Sequence, residues 1–360
     1  MTPETDMTDN TTKAMAKPSQ ILLFSLPRSG CHLLEKMVFS KQENWKWCWH
    51  PYSNNAPQLY QWMQKDDLGL PADEDREKYV EVSKAAGETW RRDLEEAEEN
   101  NQTLYVHNHA AFLVSPERLV QVLTKPAAAP PQDPKHNWTH APSSLLLHPG
   151  TLPIFTVRNA TLTIPSNYRA TGTLYKGNTT ANRRENIHMF WQRSLYGWFV
   201  ANEVQPVVVD ADDYMTSESF VRHLTASIGL DPERAIVRWE KVRFSGPTLL
   251  TLFDADKEQM SEEAKENMHR MLIQIQATLV GSEGIKPERA GRNLDLEAER
   301  RKWEEEFDAD EVKMIRELVD VAMPEYEYLR ERRLTCEQKV PMVDSRYCAG
   351  TLERAQHKWA

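Results

Sequence analysis

Residues 20–39, Gln20-Ile-Leu-Leu-Phe-Ser-Leu-Pro-Arg-Ser-Gly-Cys-His-Leu-Leu-Glu-Lys-Met-Val-Phe39, decide how the chain folds. The apolar run from Ile21 to Leu26 has the length and continuity of a strand buried on both faces. Pro27 and Gly30 break that run, and beyond them Leu33, Leu34, Met37 and Val38 recur at helical spacing. The segment therefore reads as strand, tight loop and helix. Such a loop gathers backbone N–H groups and the positive end of a helix dipole at one point, which suits an anion. Arg28 adds a planar fork of charged donors for phosphate or sulfate oxygens. Gly30 permits close backbone approach and Ser29 offers a hydroxyl. No Lys-Ser or Lys-Thr pair follows Gly30, so the loop differs from that of nucleotide triphosphatases. Taken alone, the segment also fits a mere tight turn.

Outward from this stretch, two further strands end in polar residues. Leu104 to Val106 gives a β signal that closes in His107-Asn108-His109, and Leu152 to Val157 gives one that closes in Arg158. In open parallel sheets that carboxyl edge is where ligands bind. Ser166 follows Arg158 by eight positions, and Pro165 is expected in the first turn of the intervening helix. Val204 to Asp210 reads as a fourth strand closed by Asp210, Asp212 and Asp213. Trp45, Trp47 and Trp49 alternate as on a strand and, with Tyr52, Phe190, Trp191, Tyr196 and Trp198, make either core or an aromatic surface for an acceptor. Residues 60–100 read as solvated charged helices, and residues 126–150 as an excursion. Amphipathic helices are expected over 216–228, 258–281 and 309–322.

Composition narrows the partners. A net charge of −10 over 360 residues argues against nucleic acid or a polyanionic polymer. No stretch approaches the roughly 20 apolar residues of a membrane span, and residues 1–19 lack the apolar region of a signal peptide. Cys31, Cys48, Cys336 and Cys348 show no metal-ligand spacing, and the His107/His109 pair has no third ligand cluster near it in sequence. The expectation is a cytoplasmic protein without a metal, with a homodimer left open. Residues 1–18 read as a disordered leader, 20–335 as one α/β domain and 336–360 as a tail.

Two anion sites on one sheet, with histidines between them, resemble the sulfotransferases that use 3′-phosphoadenosine 5′-phosphosulfate (PAPS). In that family a strand runs into Pro-Lys/Arg-Ser-Gly-Thr-Thr, and here Leu26-Pro27-Arg28-Ser29-Gly30-Cys31-His32 stands in its place. Arg158 and Ser166 match the family's Arg and Ser that hold the 3′-phosphate, and Val157-Arg158-Asn159-Ala160 is similar to the surrounding family text. His109 falls where the family carries its catalytic base, and His107 where it carries a lysine. Val207 to Tyr214 and Trp303 to Leu329 resemble two later family stretches. The departures are Cys31 and His32 for the two threonines, Leu33 for a common adenine-stacking tryptophan, and the missing late Arg-Lys-Gly motif. Arg289 or Arg292, the latter preferred, would supply the third phosphate contact.

The resemblance implies a three-layer α/β/α fold with a mostly parallel sheet. It implies in-line transfer of a sulfonyl group from PAPS to a hydroxyl or amine of a small, hydrophobic molecule, leaving adenosine 3′,5′-bisphosphate (PAP). His109, with His107 and Arg28, would carry the chemistry. Arg28, Ser29, Gly30, Cys31, His32, Arg158, Ser166 and Arg292 would hold the donor. The altered loop leaves open a different activity on the same fold, such as a cyclase or lyase, or nucleotide binding without sulfonation.

Overall fold

Five strands, β1 (Gln20–Ser25), β2 (Trp45–Trp49), β3 (Thr103–His109), β4 (Thr151–Val157) and β5 (Val207–Asp210), form one sheet in the order β2-β3-β1-β4-β5. Every pairing is parallel, with Ser25 opposite His109 and Phe24 opposite Phe155. This computed structural model describes residues 17–63, 65, 72–124, 133–175, 188–240, 282–292 and 294–336. The helix expected over 258–281, nearly all of the leader and nearly all of the tail lie outside the described residues.

Among the described residues the helices are α1 (Cys31–Leu34), α2 (Ala56–Met63), α3 (Asp73–Glu99), α4 (Pro116–Thr124), α5 (Ser143–Leu146), α6 (Ala160–Tyr175), α7 (His188–Ala201), α8 (Ala211–Thr216), α9 (Glu218–Ser227), α10 (Leu296–Glu306) and α11 (Ala309–Arg330). Strand alternation divides the core into two layers. Leu22, Phe24, Leu104, Val106, Phe155 and Val208 face one layer, packed with Trp90 of α3, Ile164 of α6, Phe199 of α7 and Ile315 of α11. Ile21, Leu23, Tyr105, Ile154, Val207 and Val209 face the other, packed with Leu34 of α1, Tyr214 of α8 and Leu224 of α9. The architecture is the expected α/β/α sandwich. The continuous apolar character of β1 and β4 follows from helices on both faces.

Gln20, buried in β1, finds its partners across the sheet edge. Trp90 Nε1 donates to Gln20 Oε1 at 3.0 Å, while Gln20 Nε2 donates to Leu145 O and Thr151 Oγ1 at 2.6 and 2.7 Å. Trp90 belongs to α3, whose charge pattern read as fully solvated. Tyr79, Ser83, Ala86, Trp90, Leu94 and Ala97 are buried, a stripe at three- and four-residue spacing hidden among charges. Two prolines also depart from expectation. Pro165 lies inside α6 rather than in its first turn, and α11 runs on through Pro324 instead of ending before it. The α6 start is secured upstream of Pro165, where Thr163 Oγ1 donates to Asn159 O at 2.7 Å.

In this strand order β3 and β4 flank β1 on opposite sides, so the chain reverses direction at β1. That switch point opens a crevice at the carboxyl ends of β1, β3 and β4. No helix among the described residues is long and apolar enough to cross a membrane.

Candidate functional site

The crevice begins with the loop between β1 and α1. Arg28 has φ 66 and Gly30 has φ 87, so two residues of the five-residue turn are left-handed. Ser29 N donates to Leu26 O at 3.2 Å, and Tyr214 OH donates to Ser29 O at 3.0 Å, fixing the turn from below. Ser29 Oγ donates to Leu26 O at 2.9 Å and contacts Thr156 Oγ1 at 3.0 Å. Its hydroxyl therefore ties the loop to β4 and is wholly buried. A Cβ on Gly30 would lie 2.8 Å from both Tyr214 OH and Met215 Cε. Gly30→Ala is expected to cost about 1–3 kcal/mol from strain and this clash, read as a lowered denaturation midpoint.

After α1 the chain takes one wide turn, Glu35–Phe39, closed by Ser40 N donating to Glu35 O at 3.0 Å. Such π turns recur at functional sites. This one follows directly on the loop and begins with a buried carboxylate, Glu35.

Arginines gather on the β4 side. Arg28 Nε donates to Ser166 Oγ at 3.1 Å. Arg158 Nη1 donates to Arg28 O at 3.1 Å, and its Nη2 to Arg289 O at 3.0 Å. The Nε of Arg158 is enclosed and has no hydrogen-bond partner. Burial, and then the neighbouring Arg158 charge, pull Arg28 below its ordinary range, and Arg289 acts on both in the same direction. Like charges brought together and partly desolvated are costly until an anion sits among them. Arg28, Arg158 and Ser166, chosen from the sequence, thus meet at one point.

Arg292 does not join them. It pairs with Asp213, which also takes Arg333 Nε at 2.9 Å. Arg289 is the arginine of this segment that enters the cluster. Asp212 holds the segment in place by accepting from Gly291 N at 2.6 Å, and Gly291 lies against Asn159 at the start of α6. Asp210 caps α8 by accepting from Asp212 N at 2.9 Å and also accepts from Tyr326 OH at 2.9 Å. The acidic cluster at the end of β5 is scaffolding for the arginine site. Burial raises Asp210 to about 6 against the hydrogen bond from the Asp212 backbone.

Histidines gather on the β3 side. The strand persists to His109, so His107 and His109 share a face. Ser25 Oγ lies 2.7 Å from His107 Nε2 and 2.8 Å from His109 Nδ1. His107 is wholly buried, and its Nδ1 pairs with Glu35 Oε1 at 2.8 Å. It therefore spends both nitrogens inside the protein. His32 Nδ1 pairs with Glu35 Oε2 at 2.8 Å, and Tyr105 OH donates to Glu35 Oε1 at 2.9 Å. His50 packs at a tilt against His107, 4.0 Å between ring centroids, and lies 4.9 Å from His109.

Electrostatics follow from this clustering. Burial alone would lower His107, but the Glu35 charge overrides it and pushes the imidazole up to about 10. Burial would likewise raise Glu35, yet His107 and His32 hold it well below the usual carboxylate range. Burial also acts to lower His32, and the Cys31 and Glu35 charges reverse it. Cys31, buried at the start of α1, is driven upward by burial but brought down to about 7 by His32 and His107. His50 falls well below its ordinary value through burial and the neighbouring histidines.

Among the described residues, His32, Glu35 and His107 form the group compact enough to suggest metal ligation. The two imidazoles approach different oxygens of one carboxylate, which is the geometry of an ion-paired clamp. Glu35, Ser25 and His50 were not singled out from sequence. Glu35 and Ser25 lie close to the loop in sequence, which was the available signal. Of the aromatics, Trp191, Tyr196 and Trp198 are core. Trp45 and Trp47 pack on Tyr105 at the sheet edge, at 5.6 and 4.7 Å between ring centroids.

No family model matches the chain. It is 27% identical over 361 residues to a protein of Metarhizium majus (strain ARSEF 297) named "Sulfotransferase ppzF", covering 88% of this chain and 97% of that protein. It is 26% identical over 363 residues to the protein of the same name from Metarhizium rileyi (strain RCEF 4871), covering 89% and 98%.

Proposed function

We propose that this chain, a divergent member of the sulfotransferase family, moves a sulfonyl group from PAPS to a hydroxyl or amine of a small hydrophobic acceptor. The observation that carries the reading is the meeting of the loop, Arg28, Arg158, Arg289 and Ser166 with His109 at one sheet edge. The enclosed, unpartnered Nε of Arg158 within a cluster of like charges fits a doubly phosphorylated donor.

In this account Arg158, Ser166 and Arg289 anchor the 3′-phosphate, and the loop backbone with Arg28 holds the 5′-phosphosulfate. The remote anchor supplies binding energy that keeps the sulfonyl group in line. The acceptor oxygen bonds to sulfur as the bond from sulfur to the 5′-phosphate oxygen breaks. His109 takes the acceptor proton at Nε2, because its Nδ1 is committed to Ser25. Arg28 offsets charge building on the departing phosphate. Cys31 is buried and offers no hydroxyl, so His32 and the loop amides replace the family's threonines as donors.

The test is transfer of radiolabel from sulfur-labelled PAPS across a panel of phenols, alcohols and amines. A labelled acceptor with stoichiometric PAP supports the proposal. Tight PAP binding with no labelled product on any acceptor would point to another activity on this fold.

A further inference from the structure

Glu35 is a buried carboxylate one helical turn beyond the β1–α1 loop. An unpaired charge there would be costly, and its oxygens are taken by Tyr105 OH, His32 Nδ1 and His107 Nδ1. Beyond His107 the chain of contacts continues, since its Nε2 and the Nδ1 of His109 lie within 2.8 Å of the same Ser25 oxygen.

We propose that Glu35 is a positioning residue for the base: it anchors a proton on His107, so that His109, coupled to His107 through the Ser25 hydroxyl, keeps Nε2 bare at neutral pH. This rests on reading His109 as the general base.

His107 and His109 compete for charge. The two rings are 5.6 Å apart at their centroids and share one hydroxyl, so placing a proton on one disfavours a proton on the other. A hydroxyl oxygen has two lone pairs, enough to accept from His107 Nε2–H and His109 Nδ1–H together. The carboxylate pairs with His107 Nδ1 at 2.8 Å, and so favours the charge on that ring. Among the described residues, the other titratable groups that face this pair include Cys31 and His32 of α1, His50 after β2, and Tyr105 of β3. His32 closes the far side of the same clamp, and His50, held neutral, adds no competing charge. The direction of the His107 shift agrees with the geometry.

The sign of the pH effect follows. Without the carboxylate, burial disfavours the charge on His107, and the proton spends more time on His109. Glu35→Gln should therefore move the acidic limb of the kcat profile upward by about one pH unit, toward the ordinary imidazole range. Ser25→Ala should lower kcat about tenfold with the KM for the donor unchanged, and Ser25→Thr, which keeps the hydroxyl, should retain most of it. An acidic limb unmoved in Glu35→Gln, or Ser25→Thr as impaired as Ser25→Ala, would overturn the proposal. A readout independent of turnover uses nitrogen-labelled histidine in the full chain. The His107 ring should stay doubly protonated at pH 8 in the wild type and become neutral there in Glu35→Gln. If wild type shows that pattern yet sulfonates nothing, the proton anchor stands and the His109 base reading falls. A wild-type His107 that titrates near the ordinary histidine value sinks the anchor whatever the activity.

Discussion

Replacing His109 by alanine is expected to lower kcat by at least about a hundredfold while changing PAP affinity by less than about twofold. A general base contributes only as the acceptor proton leaves, so its removal belongs in kcat. His109 is placed for that separation. It ends β3 beside β1 and is held by Ser25, while Arg28, Arg158 and Ser166 gather on the β4 side of the loop. Product titration by calorimetry, run beside initial rates, checks both halves. Equal loss of turnover and PAP binding would remove His109 from the base position.

Arg158→Ala is expected to have the complementary effect, weakening PAP binding by about a hundredfold or more. Three features set that size. The guanidinium is tied to the Arg28 and Arg289 backbones, its Nε is enclosed without a partner, and its loss would also loosen the Arg28 turn. Lysine should recover only part of the affinity, because a point charge cannot donate as a fork to two carbonyls and a phosphate. Arg292→Ala should fall far short of this, since Arg292 is engaged by Asp213 away from the cluster. Parallel titrations of the variants rank the contributions. An Arg158→Ala protein that binds PAP like wild type would dismantle the second anion site.

Much of this arrangement was readable from residues 20–39 and from two strand ends. The β1 run is apolar throughout because helices cover both sheet faces, and the left-handed Gly30 marks the turn. The eight-residue step from Arg158 to Ser166 brought both to Arg28 because α6 starts immediately after β4. Other features were hidden for definite reasons. The buried face of α3 is masked by charges on its remaining positions, so a charge run read as a fully wet surface. Pro165 and Pro324 read as helix boundaries, yet tertiary packing of α6 and α11 carries both helices through them. Arg292 was preferred to Arg289 from sequence, yet it stands outside the cluster, since the choice depends on Asp212 and Asp213 pinning their segment from another element. Glu35 looked like one more polar residue of an amphipathic helix. Only the wide turn at 35–39 and the register of β1 with β3 put it against His107. His107 itself, read as a catalytic partner, is enclosed, with its two ring nitrogens against Ser25 and Glu35.

The central claim is that the crevice at β1, β3 and β4 recognises a nucleotide phosphorylated at two separate positions. Calorimetric titration of the wild-type protein with PAP, against ATP with magnesium, tests it most directly. One PAP bound per chain at micromolar affinity, with ATP–magnesium far weaker, is the predicted result. Preference for ATP–magnesium, or no PAP binding by protein shown to be folded, would contradict it.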